Sequence, residues 1–196
     1  MGLNFCRLPV GYFFMLVLFC LYFSSCQKDT FITSENAKIS TSVDSLTYDT
    51  VFTSIGSITQ SFKINNLNNQ KLLLSKIELM KGSASAFKIN INGIAADQVS
   101  NLEVAANDSI YVFVSVNINP NLTNLPFIVT DSIQIIYNGN SQFVKLEAYG
   151  QNANFLRNKI ITGNITWSNN LPYVILGGLR IDSTASLTIE AGCKIY

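Results

Sequence analysis

Apolar and polar positions alternate most strictly between Ser109 and Ile118. One side of the alternation comprises Ile110, Val112, Val114, Val116 and Ile118, and the other comprises Tyr111, Phe113, Ser115 and Asn117. A period of two over this length is typical of a β-strand with one buried face. We therefore expect the aliphatic set to face a hydrophobic core together.

Shorter apolar runs recur on both sides of this strand, separated by turn residues. They span residues 57–65, 72–79, 86–91, 131–137 and 142–149. Asn92-Gly93 and Asn138-Gly139-Asn140 stand beside these runs, and Asn-Gly pairs are typical of tight β-hairpins. Asn, Ser, Thr, Ile and Val are abundant, which favours strands and turns over helices. The pattern predicts an all-β protein built around a β-sandwich.

An apolar segment, residues 10–23, precedes the strand-rich region and is shorter than a typical membrane-spanning helix. Arg7 is the only charge before it, and small residues follow it. Phe23-Ser24-Ser25-Cys26 resembles the lipobox of bacterial lipoproteins, which are cleaved before the cysteine and acylated on it. The resemblance implies that residues 1–25 are a signal peptide and that Cys26 is the lipid attachment site. An ordinary cleaved signal or an uncleaved anchor is the alternative.

Gln27-Lys28-Asp29 resembles the export signal of surface lipoproteins in the Bacteroidetes group. The resemblance implies attachment to the outer membrane through the N-terminal lipid, on either its periplasmic or its outer face. Residues 26–42 are polar and weakly patterned, so we interpret them as a tether.

The strand-rich region, residues 43–150, carries a familiar series of motifs. They are Ser61-Phe62-Lys63-Ile64, Ala86-Phe87-Lys88-Ile89, Ala106-Asn107-Asp108-Ser109 and Val144-Lys145-Leu146-Glu147-Ala148-Tyr149-Gly150. Their order and spacing resemble the hydin-like domain, called choice-of-anchor D in bacteria. The resemblance implies an immunoglobulin-like β-sandwich that acts as a spacer or binding module and has no catalytic residues.

A polar stretch, residues 151–159, follows and is interpreted as a linker. Beyond it, Leu187-Thr188-Ile189-Glu190-Ala191-Gly192-Cys193 resembles the first rung of bacterial right-handed parallel β-helices, with Ala191 and Cys193 where Pro and Thr are frequent. We therefore expect residues 160–196 to form the cap and first strands of a parallel β-helix. A solenoid needs about three repeats to bury its core. We accordingly expect this second region to be incomplete and the sequence to be a fragment.

Several classes of function lack the residues that they need. The chain contains no histidine, which excludes Ser-His-Asp and Cys-His catalysis and histidine-ligated zinc. Its formal net charge is +1, which falls to zero without Arg7, and it has no basic cluster for nucleic acid. Phosphate-binding glycine loops, nucleophile elbows and calcium-loop spacings are missing from the sequence. We expect no catalytic residues, no metal site, no cofactor and no nucleic-acid partner.

A few residues remain candidates for other chemistry. The aromatic residues Trp167, Tyr111, Tyr137 and Tyr149 are candidates for stacking on sugar rings, with packing in the core as the alternative. Five Asp-Ser/Thr pairs resemble the O-glycosylation sequon of exported Bacteroidetes proteins; the alternative is that each pair closes a turn before a strand. The candidate O-glycosylation sites are Ser45, Thr50, Ser109, Ser132 and Ser183. We interpret Cys193 as a small buried residue rather than a reactive thiol.

The sequence thus predicts a non-enzymatic, lipid-anchored envelope protein that presents a β-helix at the outer membrane or cell surface. A glycan or a protein is its expected ligand. The alternative is the N-terminal part of a β-helix polysaccharide-degrading enzyme whose active site lies downstream of Tyr196.

Overall fold

The computed structural model describes residues 30–120 and 126–196. The predicted signal peptide, Cys26 and the export signal lie outside the described residues. In the described part of the chain, the single helical element is a 3-10 turn, η1 (Gly82–Ala84), and all other regular structure is β-strand. None of the described helical structure could cross a membrane. The prediction of an all-β protein is confirmed.

Ten strands form two five-stranded sheets. In spatial order, sheet I comprises β1 (Ile39–Thr41), β3 (Gln60–Asn66), β8 (Ser109–Val116), β5 (Phe87–Ile91) and β6 (Ile94–Ala95). Sheet II comprises β2 (Ser45–Phe52), β10 (Asn140–Gln151), β9 (Phe127–Tyr137), β4 (Leu72–Leu79) and β7 (Gln98–Val104). Neighbouring strands are antiparallel, except that β2 runs parallel to β10.

One hydrophobic core receives side chains from both sheets. In β8 the predicted core face is confirmed: Ile110, Val112, Val114 and Val116 are each at most 6% exposed. Sheet II contributes further fully buried residues, and in β4 a register shift after Leu74 moves the next buried position to Ile77. These residues are Leu72, Leu74, Ile77, Ile133, Ile135 and Val144. Alternation directs one face of each sheet inward because successive side chains in a strand point to opposite sides.

The hairpin between β9 and β10 is also confirmed. Asn138 and Gly139 form its turn with positive φ angles of 43° and 80°. This backbone is favourable for Asn and Gly, and it matches the twist of the paired strands. Both strands are longer than their apolar runs indicated, since they extend to Phe127 and Gln151.

The interpretation of residues 26–42 as a tether is wrong for the described residues from Phe31 onward. Phe31 forms a parallel bridge with Lys71, and β1 pairs with β3. Ala37 is buried, and Ile39 packs against the core. The apolar residues of this segment are too few and too irregularly spaced to reveal a strand, yet Ile32, Ala37 and Ile39 lie in or against the core.

Strand β2 has no clear signal in the sequence because a β-bulge interrupts its period. Opposite β10, Tyr48 pairs with Ala148 and Thr50 pairs with Tyr149, so Asp49 is the extra residue. A bulge shifts the following side chains by one position. The buried residues of β2 are therefore Leu46, Tyr48 and Val51, which do not follow a period of two.

The remaining strands form a separate arrangement, the C-terminal stack (residues 154–196). It contains β11 (Asn154–Ile161), β12 (Asn164–Trp167), β13 (Tyr173–Ile181) and β14 (Ser186–Ile189). Strand β11 pairs in parallel with β13, and β12 pairs in parallel with β14. The predicted linker at residues 151–159 is wrong, because β10 ends at Gln151 and β11 begins at Asn154. The polar composition of this stretch reflects outward positions of β11, since residues 157–160 are exposed.

Tyr48 connects the two sheets. Its ring is 2% exposed, and its hydroxyl donates a hydrogen bond of 2.5 Å to the Val114 carbonyl in sheet I. Burial raises the pKa of Tyr48 to about 12, although the Gln60 backbone amide opposes the shift. The neutral phenol is therefore the form that the folded state stabilises.

We predict that Val114→Asp destabilises the protein by about 3 kcal/mol or more, because it places an unpaired carboxylate in the core. Ser115→Asp, one residue along the same strand, should cost less than about 1 kcal/mol, because Ser115 points away from the core. Denaturant titration of both variants measures the difference. Equal losses would show that the face of β8 is assigned wrongly.

We also predict that Tyr48→Phe destabilises the protein by about 1 kcal/mol at neutral pH through loss of the inter-sheet hydrogen bond. In the parent, the raised folded-state pKa means that stability is complete below pH 10 and falls as the pH rises toward 12. The variant should lose less stability over this interval. Thermal unfolding measured across alkaline pH tests this, and an identical pH dependence in both proteins would contradict it.

Candidate functional site

The C-terminal stack ends in an open edge. Strands β13 and β14 each pair with one earlier strand, and each lies at the limit of a two-stranded sheet. Among the described residues, only those at the start of β13 are paired further, through the parallel bridge between Tyr173 and Ile195. Free strand edges expose rows of backbone donors and acceptors, which are suited to pairing with another strand.

The side chains at this edge form three apolar columns, each with a buried member and an exposed one. The register pairs Ile161 with Ile181 and Trp167 with Ile189, and the bridge pairs Tyr173 with Ile195. Ile161, Trp167 and Tyr173 are 1%, 5% and 8% exposed. Their partners Ile181, Ile189 and Ile195 are 46%, 47% and 43% exposed. Paired residues of parallel strands point to the same side of the sheet. Ile181, Ile189 and Ile195 therefore cover the buried residues with which they pair. Their own outer surfaces stay exposed.

The interior of the stack is well packed at its first layer. The rings of Trp167 and Tyr173 stack with their centroids 4.2 Å apart and their planes 9° apart. Cys193 is half-buried, and its thiol donates a hydrogen bond of 3.3 Å to the Trp167 carbonyl. This environment agrees with a packing role for Cys193.

The side of the stack contacts the β2 end of sheet II, from strand β11 to the Tyr196 segment beside β13. The Phe52 ring lies 6.5 Å from Phe155 and 5.1 Å from Tyr196, both in edge-on geometry. The Thr53 amide donates to the Gln151 carbonyl at 3.0 Å. No sequence pattern identifies Phe52, because the bulge interrupts the alternation of β2. Its contacts join the stack to the larger core.

The described residues hold no group of three or more side chains that could bind a metal ion. They also hold no buried side-chain polar atom without a hydrogen-bond partner. A cleft of about 320 Å³ opens between β2 and the following loop, and Asp49 is its only carboxylate. A lone carboxylate without a second acid or base does not form the pair that glycoside hydrolysis requires.

The structure separates the four aromatic candidates for sugar stacking. Trp167 and Tyr137 are buried. Tyr111 and Tyr149 are 44% and 38% exposed, on the outward faces of sheets I and II. A hydrogen bond and the negative charge of Glu147 raise the pKa of Tyr149. Phe113 lies beside Tyr111 and is 43% exposed. It is not among the predicted sugar-stacking residues, although the alternation of β8 places it on the outward face.

The candidate O-glycosylation sites do not converge on one place. Ser45, Thr50 and Ser183 are exposed, whereas Ser109 and Ser132 are half-buried. In four of the five pairs, all except the one at Ser45, the aspartate carboxylate accepts a hydrogen bond from the next backbone amide. The pairs at Ser109 and Ser183 stand in the turns before β8 and β14, as the alternative expects, whereas the pairs at Thr50 and Ser132 lie within β2 and β9. Modification of these sites remains a prediction, as does acylation of Cys26, which lies outside the described residues.

Comparison with known proteins identifies no family. No family model matches the chain, and no curated protein matches it. Among solved structures it resembles a family 123 glycoside hydrolase from Clostridium perfringens at 12% identity with a TM-score of 0.40, covering 59% of this chain and 26% of that one. It also resembles a protein from Porphyromonas gingivalis W83 at 12% identity with a TM-score of 0.43, covering 65% of this chain and 50% of that one. At these scores, neither resemblance indicates a function.

Proposed function

We propose that this protein is a non-catalytic, lipid-anchored module of a bacterial cell envelope. In this proposal an immunoglobulin-like β-sandwich, formed by sheets I and II, carries the first coils of a right-handed parallel β-helix, formed by the C-terminal stack. The observation that carries the proposal is the register of the stack. Strands β11 and β12 lie directly beneath β13 and β14, which is how successive coils of a solenoid are related.

The exposed column residues support the same interpretation. Ile181, Ile189 and Ile195 each expose more than two fifths of their surface, although their partners beneath them are buried. A terminal solenoid coil that ends a protein normally carries a polar outer face. Aliphatic residues at all three positions instead suit contact with a further coil.

The sandwich suits the role of a support. It has a core of its own, and Phe52 at the end of β2 contacts Phe155 and Tyr196 of the stack. Strand β10 leads into β11 through only two residues, which leaves little freedom between the two parts. A membrane anchor at Cys26 would hold this unit at the outer membrane.

We predict that a further coil stabilises the stack. Because Ile195 pairs with Tyr173, a residue added after Tyr196 would align with Ile175. A copy of residues 175–196 joined after Tyr196 would therefore be in register to form the next coil. Hydrogen exchange of β13 and β14 should slow at least tenfold in the extended protein, because new backbone pairing and apolar cover oppose local opening. Exchange in sheets I and II should not change.

The matched control is the same extension with serine at the copies of Ile181 and Ile189. Its backbone can still pair with β13 and β14, but its serines do not cover Ile181 and Ile189 with apolar side chains. It should give clearly less protection than the aliphatic extension. Unchanged exchange of β13 and β14 in the aliphatic extension, or equal protection by both extensions, would contradict the proposal that the stack is an opening solenoid.

We further predict that the mature protein begins at an acylated Cys26. Mass spectrometry of the bacterial membrane fraction should find a lipid-modified N-terminal peptide that starts at this residue. Cys26→Ser should abolish the modification and leave the uncleaved chain, because the lipobox needs its cysteine. A mature protein that retains residues 1–25 would exclude the lipid anchor and leave the solenoid proposal untouched.

A further inference from the structure

The two outward sheet faces differ in charge. Strands β3, β5 and β8 of sheet I contain two lysines, Lys63 and Lys88, and no aspartate or glutamate. The five strands of sheet II also contain two lysines, but four of them carry a carboxylate directed away from the core. These carboxylates belong to Asp49, Glu78, Glu103 and Glu147, whereas Asp131 of β9 lies on the inward side, opposite the buried Leu146. Sheet I therefore presents the cationic face of the sandwich.

Aromatic rings lie along the middle of the same face. Tyr111 and Phe113 project from β8, the central strand of sheet I, and are 44% and 43% exposed. Their ring centroids are 5.9 Å apart and their planes differ by 18°, so they form a nearly parallel pair. Most strands place polar residues at such outward positions, and two adjacent exposed rings at the centre of a sheet form a distinct apolar strip.

The lysines flank this strip on both sides. Lys63 of β3 lies opposite Tyr111, with its ammonium 4.9 Å from the ring centroid. Lys88 of β5 lies opposite Ser115, and its ammonium is 3.5 Å from an Asp97 carboxylate oxygen, with both side chains partly exposed. An exposed ion pair of this kind is weak, so the Lys88 ammonium can exchange Asp97 for another carboxylate at little cost.

A shallow depression of about 230 Å³ adjoins Phe113. Asn90, Ser115 and Thr59 provide amide and hydroxyl groups around it, and Lys88 provides an ammonium. An aromatic surface beside neutral hydrogen-bonding groups suits the apolar face and the hydroxyl groups of a sugar ring. The lysines add a preference for negative charge.

We propose that the outward face of sheet I binds an acidic saccharide, a chain of sugar rings that carry carboxylates. One ring lies against Phe113 in the depression, and Lys63 and Lys88 contact carboxylates on either side of β8. Electrostatic attraction brings the chain to this face rather than to sheet II, where carboxylates would repel it. This proposal does not depend on the β-helix or on the lipid anchor.

Isothermal titration of the purified full-length protein in detergent tests this with hexagalacturonate, an alginate oligomer and a hyaluronan oligomer as probes. At least one should bind in low salt and weaken as salt is added. Fully methyl-esterified hexagalacturonate keeps the sugar rings but loses the charge, and it should bind at least tenfold more weakly than its acidic form if the acidic form binds. Failure of all three acidic probes, or equal binding of both forms, would overturn the proposal.

Matched variants on the two sheets locate the site. Phe113→Ala should weaken binding at least tenfold, and Lys63→Gln should weaken it several-fold. Phe143→Ala and Lys145→Gln change an exposed ring and an exposed lysine on β10 of sheet II, and they should leave binding within twofold. Unchanged melting temperatures separate loss of contact from loss of fold. Binding that survives Phe113→Ala, or falls equally in the sheet II variants, would place the saccharide elsewhere.

Discussion

The rest of the structure depends on the pairing of β10. This twelve-residue strand forms an antiparallel ladder with β9 along one edge and a parallel ladder with β2 along the other. Its inward residues Val144, Leu146 and Ala148 are buried in the shared core. Its end leads directly into the C-terminal stack. One strand thus fixes the order of sheet II, supplies part of the core and positions the stack.

The bulge in β2 follows from this arrangement. Parallel pairing with β10 must hold Leu46 and Tyr48 inward and also bring Phe52 to the end of the sandwich, where the stack begins. The extra residue, Asp49, shifts the inward and outward positions of β2 by one residue after Tyr48. Val51 then returns to the core, and Phe52 remains half-buried between the core and the stack.

The sequence predicted those elements in which a single physical pattern acts without interruption. The alternation of β8 and the Asn138-Gly139 turn identified a core strand and a hairpin, because side-chain period and turn chemistry are local properties. Strand β2 was missed because its bulge breaks the period. Residues 31–42 and 151–159 were misinterpreted because their order comes from long-range pairing, with Lys71 and with β13, that no local pattern records.

The candidate site was predictable to a similar degree. The motif around Leu187 indicated parallel strand pairing, and the alternation of β8 placed Tyr111 and Phe113 outward together. The charge difference between the sheets could not be predicted, because it depends on which strands are neighbours. Lys63 and Lys88 are distant in sequence and come to flank one strand only when β3, β8 and β5 assemble in that order.

The small buried core of the stack explains why it depends on contacts with its surroundings. Complete burial of an aliphatic side chain contributes roughly 1.5–3 kcal/mol. Ile181, Ile189 and Ile195 each leave nearly half of that unrealised, while Ile161, Trp167 and Tyr173 alone form the buried centre. So small a core resembles that of a single repeat, which does not fold by itself. The sandwich contacts the side of the stack through Phe52, from Phe155 to Tyr196, whereas the outer surfaces of Ile181, Ile189 and Ile195 stay exposed.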